Sequence, residues 1–254
     1  MEYIVKACRV RITVPDWTTL SSVVSRRLAA GEGFALATLN LDHLVKLARS
    51  DRFRAAYAAQ DLVTADGNPI VWTARLAGRP VDLVPGADLI VPLSRLAARH
   101  AVGVALVGST ASALDAAAAH LESIVPGLRV VARIAPPMGF DPEGAGAEAV
   151  FAELEASGAG MCFVALGAPK QEIFAAVGRR RLPGMGFAAI GAGLDFFAGT
   201  QARAPLWVRR VALEWAWRAA SHPRRLVPRY AACAALLPRL ALGALRQRLG
   251  ARPA

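Results

Sequence analysis

The sequence of 254 residues predicts an α/β fold: a mainly parallel sheet with helices on both faces. Short apolar segments alternate with stretches of ten or more residues that have helical periodicity, and this alternation is typical of parallel sheets. Hydrophobic residues make up 55% of the chain, many of them alanine or leucine, so helices packed on a sheet can bury a large core.

The elements follow one another in a regular order along the chain. Tyr3 to Val14 alternates in polarity and predicts a strand or a hairpin arm, and Asp16 to Ala30 predicts a helix that ends before Gly31. Short apolar segments predict the strands of the main sheet: Phe34–Thr38, Leu62–Thr64, Val102–Val107, Leu128–Ile134, Met161–Leu166 and Gly186–Ile190. The segments between them predict helices: Asp42–Gln60, Asn68–Ala77, Ala87–His100, Ala111–Ile124, Glu143–Ser157 and a last one that ends at Arg180.

Positive charge is concentrated after residue 200. Residues 201–254 contain eleven arginines and one acidic residue, Glu214, so nearly all of the net charge of +11 lies there. We therefore predict an α/β core over residues 1–200 and a basic helical appendage over residues 201–254. Such a charge needs an anionic partner, such as phosphate groups, nucleic acid or an acidic bilayer.

The apolar runs between Tyr230 and Leu249 are interrupted by Pro238 and Arg239 and are too short to span a bilayer. Two alternatives remain for this segment. It can lie at a membrane interface with its arginines toward anionic headgroups, or it can pack as a terminal helix on the core or on a partner subunit.

The cysteines, the first residues and the missing metal motifs limit the cellular compartments and the kinds of site that the protein can have. Cys8, Cys162 and Cys233 lie far apart, which argues against a disulfide framework and a zinc site and favours a reducing compartment. The first residues lack the long apolar stretch of a signal peptide, so we expect a cytoplasmic protein, or one peripheral to a membrane. Neither a DxD nor an HExxH motif is present, and we therefore predict no metal and no cofactor.

The candidate functional residues lie where predicted strands end, because ligands of parallel sheets bind at the carboxyl ends of strands. Asp66 follows a short strand and precedes Gly67, where its carboxylate can accept a proton from a hydroxyl nucleophile. On spacing alone, an Asx turn or a helix cap before Asn68 is the more frequent role of such a residue.

Three glycine-containing loops also follow predicted strands. Gly108-Ser109-Thr110 and Gly191-Ala192-Gly193 can hold a phosphate with backbone N–H groups, although glycine is common at any such turn. The segment Gly167–Glu172, GAPKQE, combines a cation, an amide and a carboxylate at a predicted helix start. Helix capping and a solvated face could explain half of those residues.

Taken together, these segments resemble the WecG/TagA/CpsF family of bacterial glycosyltransferases, glycosyltransferase family 26. The resemblance extends from about Phe34 to Tyr230. Six blocks occur in the family's order: Thr38-Leu-Asn40, the TADG that contains Asp66, Gly86-Ala-Asp88-Leu89, Ala105-Leu-Val-Gly108-Ser109, Gly167–Glu172, and Gly191-Ala-Gly193 with Asp195-Phe196. The match closes with Arg203-Ala-Pro205, Glu214-Trp215, Pro223-Arg224-Arg225-Leu226 and Arg229-Tyr230.

The resemblance implies a Rossmann-like core with an arginine-rich helical appendage that docks on the membrane and closes the active site. It implies an inverting, metal-independent transfer from a UDP-sugar to an undecaprenyl-diphosphate-linked sugar. Asp66 matches the catalytic base, and Thr38, Asn40 and Gln171 match the other catalytic residues. The residues expected to bind the UDP-sugar come from the loops and the tail: Gly108, Ser109, Gly167, Ala168, Pro169, Lys170, Glu172, Gly191, Gly193, Asp195, Arg203, Arg210, Arg218, Arg225 and Arg229.

One position departs from the family pattern. Members often have an arginine three residues before the glycine of the GxDL block, and here that position is Leu83. The departure predicts either a different donor or a greater dependence on the tail arginines.

Two rival classes fit part of the sequence. A dehydrogenase or methyltransferase would share the βα pattern, but the dinucleotide-binding glycine fingerprint is missing. A nucleic-acid-binding protein would explain the arginines but not Asp66 and Gln171, so we expect no nucleic-acid partner. The sequence leaves the donor sugar, the acceptor sugar and the oligomeric state open, a homo-oligomer included.

Overall fold

The computed structural model describes residues 2–6, 8–191, 193–199, 205, 208, 215–217 and 223–250. Its strands are β1 Glu2–Val5, β2 Cys8–Arg11, β3 Phe34–Leu39, β4 Leu62–Ala65, β5 Val104–Gly108, β6 Val130–Ile134, β7 Met161–Ala165 and β8 Gly186–Ala189. Its helices are α1 Trp17–Ala30, α2 Leu41–Leu47, α3 Asp51–Ala58, α4 Asn68–Leu76, α5 Gly86–Arg99, α6 Ala111–Ile124, α7 Ala145–Ala156, α8 Lys170–Arg181, α9 Gly193–Phe197 and α10 Pro223–Arg248.

The main sheet has six strands in the order β4-β3-β8-β7-β5-β6, and all neighbouring strands are parallel. The first two strands, β1 and β2, form a separate antiparallel hairpin in which Tyr3 pairs with Val10. The six predicted strands of the main sheet are therefore confirmed, each to within two residues of its predicted ends.

Helices cover both faces of the sheet, as predicted. On one face α1, α5 and α6 contribute Leu20, Leu93 and Leu114 to a buried cluster with the strands. On the other face α7 and α8 contribute Phe151 and Phe174, whose stacked rings have centroids 4.6 Å apart. Burial from both sides explains why the strands are almost uniformly apolar.

The direction of the strand connections reverses where β5 and β7 lie side by side. The connection that leaves β5 runs through α6 to β6, whereas the connection that leaves β7 runs through α8 to β8 in the opposite direction. Diverging connections open a cleft beyond the carboxyl ends of the two strands, and ligands of open α/β sheets bind in such clefts.

The predicted single helix Asp42–Gln60 is wrong, because the chain forms two helices, α2 and α3, with a break between them. Ser50 has an extended backbone, with φ −135° and ψ 116°, and its hydroxyl accepts a hydrogen bond from the N–H of Phe53. A serine side chain that caps a new helix competes with continuation of the old one. The break lets α3 fold back beside α2, which brings Tyr57 against His43.

The C-terminal helix α10 packs on α2 and α4. Its inward side chains Leu236, Leu240 and Ala244 join a cluster that contains Tyr3 and Ile70. The segment after Tyr230 therefore packs on the core as a terminal helix, which is one of the two alternatives that the sequence left open. Pro228 and Pro238 lie inside this helix.

Near its end, α10 also binds the first strand. The amide of Gln247 donates to the carbonyl of Glu2 over 2.6 Å and accepts from the N–H of Glu2 over 3.2 Å. The opposite side of α10 exposes Leu242 and Leu245 together with arginines, and Leu249, just after the helix, is exposed as well. Of the helices that the structure describes, none is both long and apolar enough to cross a membrane.

Candidate active site

Asp66 and Thr38 meet where β4 and β3 end. The two strands are in register with Thr38 opposite Thr64 and Leu39 opposite Ala65, and the N–H of Asp66 donates to the carbonyl of Leu39 over 2.7 Å. Buried Thr38 donates from its hydroxyl to Oδ2 of Asp66 over 3.3 Å. The N-cap residue of α4 is Gly67 rather than Asp66, so Asp66 does not have the helix-cap role that the sequence left open.

Asn40 follows β3 and begins α2. Its side-chain oxygen accepts a hydrogen bond of 3.0 Å from the N–H of His43, which is the usual role of an N-cap residue. The cap fixes the amide plane, and its nitrogen is then the atom that can donate to a substrate oxygen. The structure thus brings Thr38, Asn40 and Asp66 together at two adjacent strand ends.

Gln171 links the ends of β7 and β8. It lies in the first turn of α8, and its amide nitrogen donates to Oε1 of Glu172 over 2.8 Å. Its amide oxygen accepts from the N–H of Gly191 over 3.1 Å. The side chain is buried, so both of its hydrogen bonds are shielded from solvent.

The carboxyl group of Glu172 has no solvent exposure. Burial raises its pKa to about 7, although hydrogen bonds from Gln171 and its own backbone oppose this shift. His43 Nε2 lies 3.8 Å from Glu172 Oε1, and its Nδ1 shares a hydrogen bond of 2.8 Å with the hydroxyl of Tyr57. Burial, reinforced by the charge of Lys46, lowers the pKa of His43 to about 3, so the imidazole is neutral at pH 7.

Tyr57 connects this network to Asp66. Burial raises the pKa of its hydroxyl well above the ordinary value, and the charges of Glu172 and Asp66 raise it further. Both carboxyl groups therefore lie near the same phenol, and polar side chains run between the ends of β3, β4 and β7.

Two cations share one carboxylate beside this network. Asp42 on α2 has Lys46 Nζ 2.8 Å from one oxygen and Arg229 Nε 2.8 Å from the other. Lys46 also donates to the carbonyl of Ala168 over 3.0 Å, in the loop after β7. The cation that contacts the loop after β7 favours an anionic ligand there.

The loops after β5 and β7 approach each other closely. Gly108 has φ 115°, and a methyl group on it would lie 2.5 Å from the carbonyl oxygen of Ala165, so only glycine fits there. Ser109 next to it has φ 57° and donates from its hydroxyl to Oδ1 of Asp195 over 2.6 Å. Ser109 and Asp195 are thus brought together, with Gly193 buried at the start of α9.

The remaining predicted residues divide into described and undescribed ones. Pro169 is the N-cap residue of α8 and Lys170 is the first residue of the helix, and both are partly exposed. Half-exposed Leu83 lies beside the end of β4, because the N–H of Val84 donates to the carbonyl of Ala65. The tail arginines Arg203, Arg210 and Arg218 lie outside the described residues. For Arg225 the backbone is described but the side chain is not.

The buried network of Asp42, His43, Lys46 and Tyr57 was not predicted from the sequence. Asn40 followed by Asp42-His43 was a signal of a helix start at the site, but the pairing with Tyr57 needs the break at Ser50. Within the described part of the chain, no cluster of three or more His, Cys, Asp or Glu side chains could hold a metal ion.

Comparison with known protein families gives a match over nearly the whole chain. The model described as "Glycosyl transferase WecG/TagA/CpsF family" matches residues 5–254. The match covers the strand ends with Thr38, Asp66 and Gln171 as well as α10.

Proposed function

Because the chain belongs to the WecG/TagA/CpsF family of glycosyltransferases, we propose that it is an inverting, metal-independent enzyme of bacterial cell-surface polysaccharide biosynthesis. It transfers a sugar from a UDP-sugar to a sugar carried on undecaprenyl diphosphate. The transferred sugar is of the N-acetylmannosamine type, its uronic acid, or a hexose. The observation that carries the proposal is the carboxylate of Asp66 at a strand end, oriented by Thr38.

The reaction is a single displacement at the anomeric carbon. Asp66 accepts the proton of the acceptor hydroxyl as its oxygen forms the new glycosidic bond and the bond to UDP breaks. One displacement inverts the anomeric configuration, so an α-linked donor gives a β-linked product. Asn40 and Gln171 lie at the neighbouring strand ends, where their amides can hold the reacting sugars in place.

The departing UDP carries negative charge that the enzyme has to stabilise without a metal ion. The N–H groups at Gly108 and Ser109, the first turn of α8, and the cations Lys46 and Arg229 supply positive potential at adjacent loops. The other tail arginines add to it in our proposal. Leu83 stands where family members often have an arginine. Either the tail arginines therefore supply more of the positive charge that stabilises UDP, or the donor differs from that of those members.

The division of the chain follows from these roles. Residues 1–200 bind the donor and carry the base, and residues 201–254 close the site and attach the protein to the inner face of the cell membrane. The exposed leucines and arginines of α10 support a peripheral attachment.

A donor and acceptor screen tests the proposal. The purified chain is incubated with a panel of UDP-sugars and a synthetic short-chain polyprenyl-diphosphate sugar, with and without excess EDTA. We expect one donor to release UDP and to add one sugar mass to the acceptor, with a β-linkage by NMR and an unchanged rate in EDTA. Absence of transfer from every UDP-sugar by folded protein would contradict the proposed reaction, and recovery only with Mg²⁺ or Mn²⁺ would contradict its metal independence.

A further inference from the structure

The buried carboxyl group of Glu172 is placed to act on Gln171 rather than on a ligand. It is fully buried in the first turn of α8, and its Oε1 accepts the hydrogen bond from Gln171 Nε2. Its Oε2 has no hydrogen-bond partner among the residues that the structure describes. A carboxyl group in such surroundings is costly to bury, which calls for a role that compensates.

The geometry selects one of the two orientations of the Gln171 amide. An amide has a donor end and an acceptor end, and rotation by 180° exchanges them. The N–H of Gly191 requires the acceptor end, and Oε1 of Glu172 requires the donor end. Glutamate at position 172 therefore holds the Gln171 oxygen toward the end of β8.

Glu172 is itself held from several sides. Gln60 Nε2 donates to its backbone carbonyl over 3.0 Å, and the ring of His43 lies against its Oε1. The N–H of His43 donates to the side-chain oxygen of Asn40, and the ring of His43 shares a hydrogen bond with the hydroxyl of Tyr57. A single rigid network thus joins Asn40 and Gln171, the two amide side chains of the candidate site.

We propose that Glu172 is a positioning residue, which fixes the amide orientation of Gln171 in the transfer reaction and does not touch the donor. This differs from the donor-binding role that the family resemblance implied for Glu172. The inference rests on the proposed function only in that Gln171 acts on the reacting sugars.

Kinetics of four variants test this role. Glu172→Leu removes the acceptor at similar size, and we expect kcat to fall about 10- to 100-fold while KM for the donor changes less than about threefold. Glu172→Gln keeps an acceptor oxygen and should recover part of the loss. Gln171→Leu should lower kcat at least as much, and the double variant Gln171→Leu/Glu172→Leu should be no worse than Gln171→Leu alone.

A matched control separates positioning from stability. Thr73 is buried like Glu172, but it lies on α4, and its hydroxyl forms hydrogen bonds with the hydroxyl of Tyr3 and with the carbonyls of Pro69 and Ile70. Thr73→Val should lower Tm and leave kcat within about twofold. If the losses from Gln171→Leu and Glu172→Leu multiply in the double variant, Glu172 does not act through Gln171.

An NMR measurement tests the pairing without enzyme activity. The side-chain NH₂ signals of Gln171, identified by their loss in Gln171→Leu, should shift between pH 5 and pH 9 as Glu172 releases its proton. His43 and Tyr57 face Glu172 but keep their protonation state in this range, because burial moves their pKa values out of it. Among the described residues, the other charged groups nearby are Asp42 and Lys46 on α2, Arg229 on α10, and Asp66 after β4.

The two measurements separate failure of the inference from failure of the proposed function. In Glu172→Gln the pH-dependent shift should disappear. A wild-type signal that does not move with pH, or that moves equally in Glu172→Gln, overturns the inference. If the wild type transfers no sugar but its Gln171 signal titrates with Glu172, the pairing stands and the proposed reaction fails.

Discussion

Arg229 Nε lies 2.8 Å from Oδ1 of Asp42, and this ion pair joins α10 to α2 beside the candidate active site. The second oxygen of Asp42 binds Lys46, which donates to the carbonyl of Ala168 in the loop after β7. The position of the C-terminal helix is therefore coupled, through one nearly buried carboxylate, to the position of the loop after β7.

Replacing Asp42 should destabilise the fold. In Asp42→Asn the cations of Lys46 and Arg229 lose their shared counter-charge, and we expect the free energy of unfolding to fall by about 1–3 kcal/mol. Urea denaturation measures the change. The control Asp82→Asn, which removes an exposed carboxylate, should stay within about 0.5 kcal/mol of the wild type. Equal stability of the two variants would show that the Asp42 pairs contribute nothing.

Replacing Asp66 should abolish most catalysis and spare binding. Asp66→Asn keeps the shape of the side chain but removes the base, so we expect kcat to fall about a hundredfold or more. UDP affinity, measured by calorimetry, should stay within a few-fold. Thr38→Val removes the hydroxyl that orients the carboxylate and should cost less, about tenfold in kcat. Near-normal turnover of Asp66→Asn would return Asp66 to the role of a turn residue.

Glu172 should make stability depend on pH. Its pKa rises from 4.5 to about 7 on folding, so between these values the folded state retains a proton that the unfolded chain has released. Increasing pH through this window therefore lowers the free energy of unfolding, and the loss is complete above pH 7. His43 acts in the opposite direction, because its pKa falls from 6.5 to about 3 on folding, and stability rises with pH through that window.

Comparison of the wild type with Glu172→Gln isolates the glutamate. Between pH 4.5 and pH 7 the wild type should lose about 3 kcal/mol of unfolding free energy relative to Glu172→Gln. Above and below this range the difference between the two proteins should stay constant. Urea denaturation at several pH values gives the curve. Glu155→Gln, on the exposed side of α7, controls for the lost charge. A difference that is flat from pH 4 to pH 8 would contradict the raised pKa.

The outer side of α10 should bind anionic membranes. Deleting the helix would uncover the apolar surface of α4, so substitutions test this better than truncations. Arg239→Glu with Arg246→Glu removes two of the exposed arginines, each worth about 1 kcal/mol near anionic lipid. We expect at least a tenfold loss of co-sedimentation with phosphatidylglycerol vesicles and nearly full activity on a short-chain acceptor.

The matched control for α10 lies on α5. Arg95→Glu with Arg99→Glu makes the same charge change at two exposed arginines of another helix. Vesicle binding should persist in that variant. An equal loss in both variants would mean that overall charge, and not α10, attaches the protein to the membrane.

Most of the sheet could be predicted from the sequence, and so could the strand ends at which the candidate residues lie. Apolar segments ending in Asp66, Gly108, Gly167 and Gly191 indicate strands whose carboxyl ends collect polar residues, and the parallel sheet brings those ends to one edge. The order of the six strands could not be predicted, because it depends on which apolar segments pair in space.

The buried network was beyond prediction for a different physical reason. A glutamate near a helix start usually faces solvent, where it stabilises the N-terminus, and nothing in the local sequence distinguishes Glu172 from that role. Its burial depends on α3 packing over α8, and that packing depends on the break at Ser50. Ser50 and Glu172 are distant in sequence, so no local pattern indicates that the break at one leads to burial of the other.

The shared cluster of Tyr3, Ile70 and Ala244 has a consequence for folding during synthesis. Tyr3, near the start of the chain, packs in this cluster with Ala244, which the ribosome adds more than 230 residues later. Until α10 emerges, α4 presents an uncovered apolar surface, and such surfaces are the sites at which nascent chains associate or recruit chaperones. The strand ends with Thr38 and Asp66 can form earlier, whereas the layer that supports them from α2 and α4 is completed only when translation has passed residue 247.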